Sequence, residues 1–186
     1  MTRGFTSLQK RTIQEVLEWY EFLVEVLGRE KTRVLAELNG NILASDSRFF
    51  GMTADEVGQF FERHRNELDL VAMLDLLAAA EAAVRLDYRA RVRQRLKDPV
   101  SRRLRDVEKR LRRRHRREAG LEEDILNTWM QCRPRINRPA SDFKGVLKLR
   151  HWLAHGRYWD PKMGRPQYSP RDVYDISLNL IEAISA

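Results

Sequence analysis

An arginine and a histidine lie five residues apart in the segment LRHWLAHGRYW, at Arg150 and His155. Histidine exchanges protons near neutral pH, and arginine binds a phosphate through two parallel N–H bonds. Together they can cleave RNA without a metal. The histidine takes the proton of the 2′-hydroxyl or protonates the leaving 5′-oxygen, while the arginine stabilises the charge on the phosphate oxygens. Arg150 and His155 are therefore the candidate catalytic pair.

Sequence context distinguishes this pair from a second match to the same spacing. Arg110 and His115 are also five residues apart, but their segment is too charged to form a shielded pocket. Arg150 and His155 follow an apolar helix face and precede Gly156, a residue typical of helix ends. On an ideal helix they would lie about 140° apart. We therefore expect His155 at or beyond the last turn, where the helix dipole favours its protonated form.

The elements that must position the pair are all predicted to be helical, because apolar residues recur at three- and four-residue steps. The sequence predicts an all-α, up-and-down bundle of about seven helices. A short helix begins at Thr53, and a separate long helix spans 66–97. Side-chain caps mark several helix starts: Thr53 with Glu56, Ser101 before a basic helix that runs to 118, Ser141, and Ser169 before Pro170.

The positive charge is concentrated in one element. Residues 102–117 hold ten lysines and arginines against Asp106 and Glu108, which accounts for the whole net charge of +8. Such a helix can contact a phosphate backbone or an acidic partner protein, and a solvated helix face is the alternative. The candidate nucleic-acid-binding residues are Arg112, Arg113, Arg114, Lys148, Arg157 and Tyr158.

Aromatic residues and a second histidine beside the pair allow other interpretations. Trp152, Tyr158 and Trp159 can stack on unpaired bases, or they can fill the core or an interface. His151 and His155 are four residues apart and could chelate a metal. Position 152 is Trp, however, where zinc-binding helices of this spacing carry Glu. We expect no metal and no cofactor.

Bulk features indicate a cytoplasmic protein. Cys132 is the only cysteine, which rules out an intrachain disulfide and favours a reducing compartment. The first residues, MTRGFTSLQKR, lack the apolar core of a secretory signal. The longest apolar run, 70–84, is interrupted by Asp75 and Glu81, so we expect no membrane span.

The motif resembles the HEPN superfamily, in particular its RiboL-PSP-HEPN branch. The resemblance rests on Arg150-x4-His155 with the polar His151 directly after the arginine, on the penultimate helix of a small all-α domain. It also rests on the phrases LRHWLAHGRYW, LDLVAMLDLLAAAEAAVRLDY and LEEDILNTW. It covers roughly 66–186. We therefore expect one HEPN-like domain over 1–186, with 1–50 a less recognisable helical extension.

The resemblance implies a bundle that forms a homodimer, with two copies of the motif facing each other across a cleft. It implies a metal-independent endoribonuclease that leaves a 2′,3′-cyclic phosphate, often a toxin with an antitoxin partner or a phage-defence protein. Arg150 and His155 become the catalytic pair, and His151 helps to shape the site. Some toxin relatives carry a tyrosine at the position of Arg157, where a partner enzyme modifies it. The resemblance therefore does not imply control by this modification here. The alternative is a non-catalytic module that binds nucleic acid or an acidic protein through 102–117.

Overall fold

The computed structural model describes residues 10–113, 115, 118–160 and 167–185, and this part of the chain is all-helical. Its α-helices are α1 (Ile13–Asn39), α2 (Ala54–Gln94), α3 (Pro99–Arg113), α4 (Asn127–Cys132), α5 (Asn137–Ala154) and α6 (Pro170–Ser185). A π-helical turn (Leu121–Leu126) and a 3₁₀ turn (Pro134–Ile136) flank α4. The predicted all-α fold is confirmed, with six α-helices where about seven were expected. No helix in the described ranges is both long enough and apolar enough to cross a membrane.

Helix α2 is the central element of the bundle. It packs against α1 along one side and also contacts α3, α5 and α6. The main core lies between these helices, and its largest fully buried side chains include Trp129, Phe143, Leu76 and Leu77. A smaller apolar cluster around Val34, Phe49, Val57 and Phe61 joins the end of α1 to the start of α2. Helix α2 is therefore the scaffold against which α5, the carrier of the motif, is fixed.

Two helix starts match the predictions from local sequence. Thr53 accepts the N–H of Glu56 at 3.3 Å, and its own N–H donates to the Glu56 carboxylate at 2.7 Å. Ser169 precedes Pro170 and makes the same reciprocal pair with Asp172. Each cap satisfies N–H groups that the first helical turn leaves without partners.

The prediction of a short helix at Thr53 followed by a separate helix over 66–97 is wrong. The structure forms one uninterrupted helix, α2, from Ala54 to Gln94. No glycine or proline occurs between 59 and 94, so nothing in this stretch interrupts the backbone hydrogen bonds. The helix ends at Arg95, whose φ of 53° is left-handed.

The predicted cap of the basic helix is also wrong. Helix α3 begins at Pro99, and Ser101 lies buried within its first turn. The Asp98 carboxylate accepts the backbone N–H of Ser101 at 3.0 Å and its hydroxyl at 2.6 Å. Asp98 therefore caps the helix, and the proline at its first position has no hydrogen bond to lose. Helix α3 ends at Arg113, and His115 has a left-handed φ of 55°, so the predicted extension to 118 is wrong at this residue; residues 114, 116 and 117 lie outside the described part of the chain.

Helix α5 begins four residues before its predicted cap. It starts at Asn137, so Ser141 is an internal residue and not the cap. Pro139 falls in the first turn, where a proline costs no intrahelical hydrogen bond. Two prolines five residues apart, Pro134 and Pro139, are typical of a loop, but in the structure they lie in a 3₁₀ turn and in this first helical turn.

Candidate functional site

The C-terminus of α5 turns sharply directly after His155. The helix ends at Ala154, and the His155 N–H donates to the carbonyl of His151 at 3.2 Å. Gly156 has a φ of +85°, and the next N–H, of Arg157, donates to the carbonyl of Trp152 at 3.2 Å. This hydrogen-bonded stop requires the left-handed conformation that glycine adopts without strain. The predicted stop at Gly156 is confirmed, and it places His155 at the helix end.

The two histidines of the motif lie side by side. The ring centroids of His151 and His155 are 4.3 Å apart, and the ring of Trp159 is 5.7 Å from that of His151. Both histidines are solvent-exposed. Either imidazole is therefore open to a substrate that approaches the end of α5.

A groove of about 710 Å³ runs between α2 and α5, and we call it the α2–α5 groove. Helix α5 contributes Lys148, Arg150 and His151 to its wall. His155 lies beside this groove and contacts it through the ring of His151. Arg150 and His151 thus line the groove together, and His155 lies next to His151 at its edge.

Arg150 is held by a carboxylate that sequence reasoning did not select. Its guanidinium lies 3.4 Å from Glu81 on α2, and the Arg85 side chain donates to the same carboxylate at 2.8 Å. Arg85 is fixed in turn by a 3.0 Å hydrogen bond to the carbonyl of Ala119. The Glu81 side chain is only 18% exposed, against 42% for Arg150. In the sequence, the one feature that could have indicated Glu81 is that it is a charged residue inside the apolar run 70–84.

The facing wall of the groove is acidic. The π-helical turn begins directly after Gly120, whose carbonyl accepts the backbone N–H groups of both Asp124 and Ile125. This turn presents Glu122 and Glu123, both exposed, to the groove. Turns of this kind recur at functional sites. An anion in the groove would therefore be drawn to the α5 side and repelled from the π-helical turn.

The indole of Trp152 holds the loop after α5 in place through a hydrogen bond. Trp152 donates its Nε1–H to the carbonyl of Trp159 at 2.7 Å and packs against the main core, in line with the core-packing alternative. Tyr158 is 83% exposed, with its ring edge against Trp159 at a centroid distance of 4.6 Å. Arg157 forms an ion pair with Glu67 at 2.9 Å, and the hydrogen bond to Glu67 raises the pKa of Arg157. Tyr158 is thus the most exposed of these three aromatic side chains and the one most open to base stacking.

The basic helix α3 lies apart from the α2–α5 groove. Arg112 and Arg113 are exposed on its outer face, and Arg112 pairs with Glu108 at 3.0 Å. Arg114 lies outside the described residues. The competing pair at 110 and 115 gains no support as a site, because Arg110 pairs with the nearly buried Asp124 at 3.2 Å.

No cluster of three or more His, Cys, Asp or Glu side chains that could hold a metal occurs in the part of the chain that the structure describes. Comparison of the chain with protein-family models, with curated proteins and with solved structures finds no match. Its function must therefore be argued from the geometry of the site.

Proposed function

We propose that this chain is a metal-independent endoribonuclease of HEPN type that acts as a homodimer. The observation that carries the proposal is the placement of Arg150, His151 and His155 together at the end of α5, beside an open groove. Arg150 is half-exposed and already oriented by Glu81, as a residue that binds phosphate needs to be. This arrangement combines a fixed cation with two accessible imidazoles.

The proposed reaction is an internal transfer at phosphorus. His155 removes the proton of the 2′-hydroxyl, and the 2′-oxygen forms a bond to phosphorus. The bond from phosphorus to the 5′-oxygen breaks, and this oxygen takes a proton from a second imidazole. The products are a 2′,3′-cyclic phosphate and a 5′-hydroxyl. Arg150 stabilises the charge on the non-bridging oxygens, and His151 shapes the site beside His155.

The geometry favours a site built by two copies of the chain. Attacking and leaving oxygens lie roughly in line on opposite sides of phosphorus. The ring centroids of His151 and His155 of one chain are only 4.3 Å apart, which leaves no room for a phosphate between the two imidazoles. A second copy facing the first supplies the histidine for the opposite side. A toxin or phage-defence role in the cytoplasm, with an antitoxin as partner, accompanies the HEPN resemblance.

The products and the substrate requirement test this chemistry. Purified protein in EDTA should cut a single-stranded RNA and leave a 2′,3′-cyclic phosphate, detected by mass spectrometry. The same oligonucleotide with one 2′-deoxy sugar at the cut site should resist cleavage there, because the attacking oxygen is missing. Cleavage of the deoxy-substituted site, or fragments that end in a 3′-hydroxyl, would contradict the mechanism.

The second candidate function is a non-catalytic module that binds nucleic acid or an acidic protein. It is favoured by the outer face of α3, where Arg102, Arg103 and Arg113 are exposed and have no ion-pair partner among the described residues. This alternative predicts salt-sensitive RNA binding that depends on Arg112 and Arg113, survives loss of His155 and is accompanied by no cleavage.

A further inference from the structure

A second groove, which is basic, lies between α2 and α3, and we call it the α2–α3 groove. It has a volume of about 250 Å³ and is lined by four arginines, Arg85, Arg89, Arg93 and Arg112, against two glutamates, Glu108 and Glu118. Three of these arginines come from α2, outside the basic run that dominates the sequence. The positive charge of the α2–α3 groove therefore comes mainly from arginines outside the basic segment 102–117.

The two glutamates of the α2–α3 groove neutralise it only in part. Glu108 accepts hydrogen bonds from Tyr88 at 2.6 Å and from Arg112 at 3.0 Å; the Tyr88 bond, with help from Arg112, outweighs partial burial and lowers the pKa of Glu108. Glu118 is 74% exposed and lies 3.9 Å from Arg89. An exposed ion pair at this distance contributes little binding energy, so an incoming anion can replace Glu118 beside Arg89. Arg93 is exposed and has no ion-pair partner among the residues described. Arg89 and Arg93 are thus available to bind phosphates.

Arg85 connects the two grooves. Its side chain lines both the α2–α3 groove and the α2–α5 groove, and it donates to the same Glu81 carboxylate that holds Arg150. Arg85, Arg89 and Arg93 succeed one another at four-residue steps on one face of α2, which spaces them about 6 Å apart along the helix axis. This spacing is close to that of successive phosphates in a nucleic acid strand.

We propose that the α2–α3 groove binds the phosphate backbone of single-stranded RNA and leads the strand along Arg93, Arg89 and Arg85 to the site at Arg150. The inference rests on the proposed function for the end of the path, but the binding surface itself does not depend on cleavage. The path along α2 from Glu81 to Arg93 is about 18 Å long. It holds about three phosphates beyond the one that is cut.

The test is the salt dependence of RNA binding, measured by fluorescence anisotropy in a His155→Ala background so that the RNA stays intact. The probe is a labelled single-stranded RNA of about 12 nucleotides, within the usual size of such binding sites. The variants are Arg89→Gln/Arg93→Gln and the charge-preserving Arg89→Lys/Arg93→Lys. The matched control is Arg29→Gln/Arg63→Gln, which removes two exposed arginines elsewhere on α1 and α2.

Each lost phosphate contact should reduce the slope of log affinity against log salt by about 0.7. Between about 50 and 200 mM salt, the parent protein should therefore lose about sevenfold more affinity than the double-glutamine variant. The lysine variant and the control should retain the parent slope, and circular dichroism checks that each variant is folded. A parent-like slope in the double-glutamine variant would overturn the proposal. So would displacement of the RNA by poly-glutamate as effectively as by unlabelled RNA, since the surface would then bind any polyanion and would not recognise a phosphate backbone.

Cleavage assays separate this inference from the proposed function. With His155 intact, the double-glutamine variant should lower kcat/KM for the long RNA in low salt, and this deficit should shrink about sevenfold between about 50 and 200 mM salt. Cleavage of a dinucleotide, which is too short to reach Arg89 and Arg93, should be unchanged. If the salt slope changes but no RNA is cut by any variant, the proposed function fails and the binding path stands. If RNA is cut and the slope does not change, the binding path fails alone.

Discussion

Replacing Glu81 with glutamine is expected to tighten substrate binding while slowing the reaction. The carboxylate attracts Arg150 at 3.4 Å and fixes its direction, but it also repels an incoming phosphate. A phosphate on the far side of the guanidinium would lie about 7 Å from Glu81, where two unit charges interact by about 0.6 kcal/mol in a water-like medium. Loss of this repulsion should lower KM about threefold. Loss of the orientation should lower kcat about tenfold or more, because a displacement of about 1 Å can cost up to about 100-fold.

The matched control is Glu122→Gln in the same groove. Glu122 is exposed and has no cation partner among the described residues, so its loss removes a charge without releasing an arginine. It should lower KM by a similar factor and leave kcat unchanged. Steady-state cleavage of one fluorescent RNA by both variants measures the effects on KM and on kcat separately. Equal kcat values for the two variants would refute the idea that Glu81 positions Arg150.

Two further predictions concern the scaffold. Trp129→Ala should reduce the free energy of unfolding by about 3–5 kcal/mol, because Trp129 is fully buried and the Arg91 guanidinium lies 4.4 Å from the centroid of its ring. Trp129→Phe should cost much less, because the buried indole N–H has no hydrogen-bond partner among the described residues. Thermal denaturation of the two variants measures the difference. Burial and the hydrogen bond to Asp69 raise the pKa of Tyr20 to about 12, so its contribution to stability is complete below pH 10 and is lost between pH 10 and pH 12. At pH 11 the loss should be about 1.4 kcal/mol. Urea titrations at pH 8 and pH 11 should show this fall for the parent protein but not for Tyr20→Phe, and a parent protein that becomes no less stable at pH 11 would contradict the prediction.

Local signals in the sequence predicted the features that local chemistry determines. Thr53 with Glu56, Ser169 before Pro170, and Gly156 at the end of α5 are each recognisable within four residues, and each has the predicted role in the structure. The errors arose where two local signals competed. The long helix was predicted to end at 97, directly before Asp98 and Pro99, and Ser101 was predicted to cap the next helix. Asp98 and Pro99 are equally suited to be the cap and first residue of that helix, and this is their role in the structure.

The site could be predicted only in part, because half of it comes from distant residues. The order of Arg150, His151 and His155 is visible within one helix end, and the structure places Arg150 and His151 in the groove wall with His155 next to His151. Glu81 reaches Arg150 only through the packing of α2 against α5, a contact that spacing along the chain cannot reveal. The same packing determines that Arg157 pairs with Glu67 outside the groove.

The most direct test of the central claim is cleavage of single-stranded RNA in EDTA by the parent protein and by single substitutions at Arg150 and His155. Arg150→Ala and His155→Ala should each lower the rate by at least about 100-fold, the usual contribution of a group that stabilises developing charge or of a general acid or base. Helical content by circular dichroism should be unchanged. Arg29→Ala, an exposed arginine on α1, should cleave at the parent rate. Parent-level cleavage by both site variants, or cleavage by the parent only when a divalent metal is added, would contradict the account.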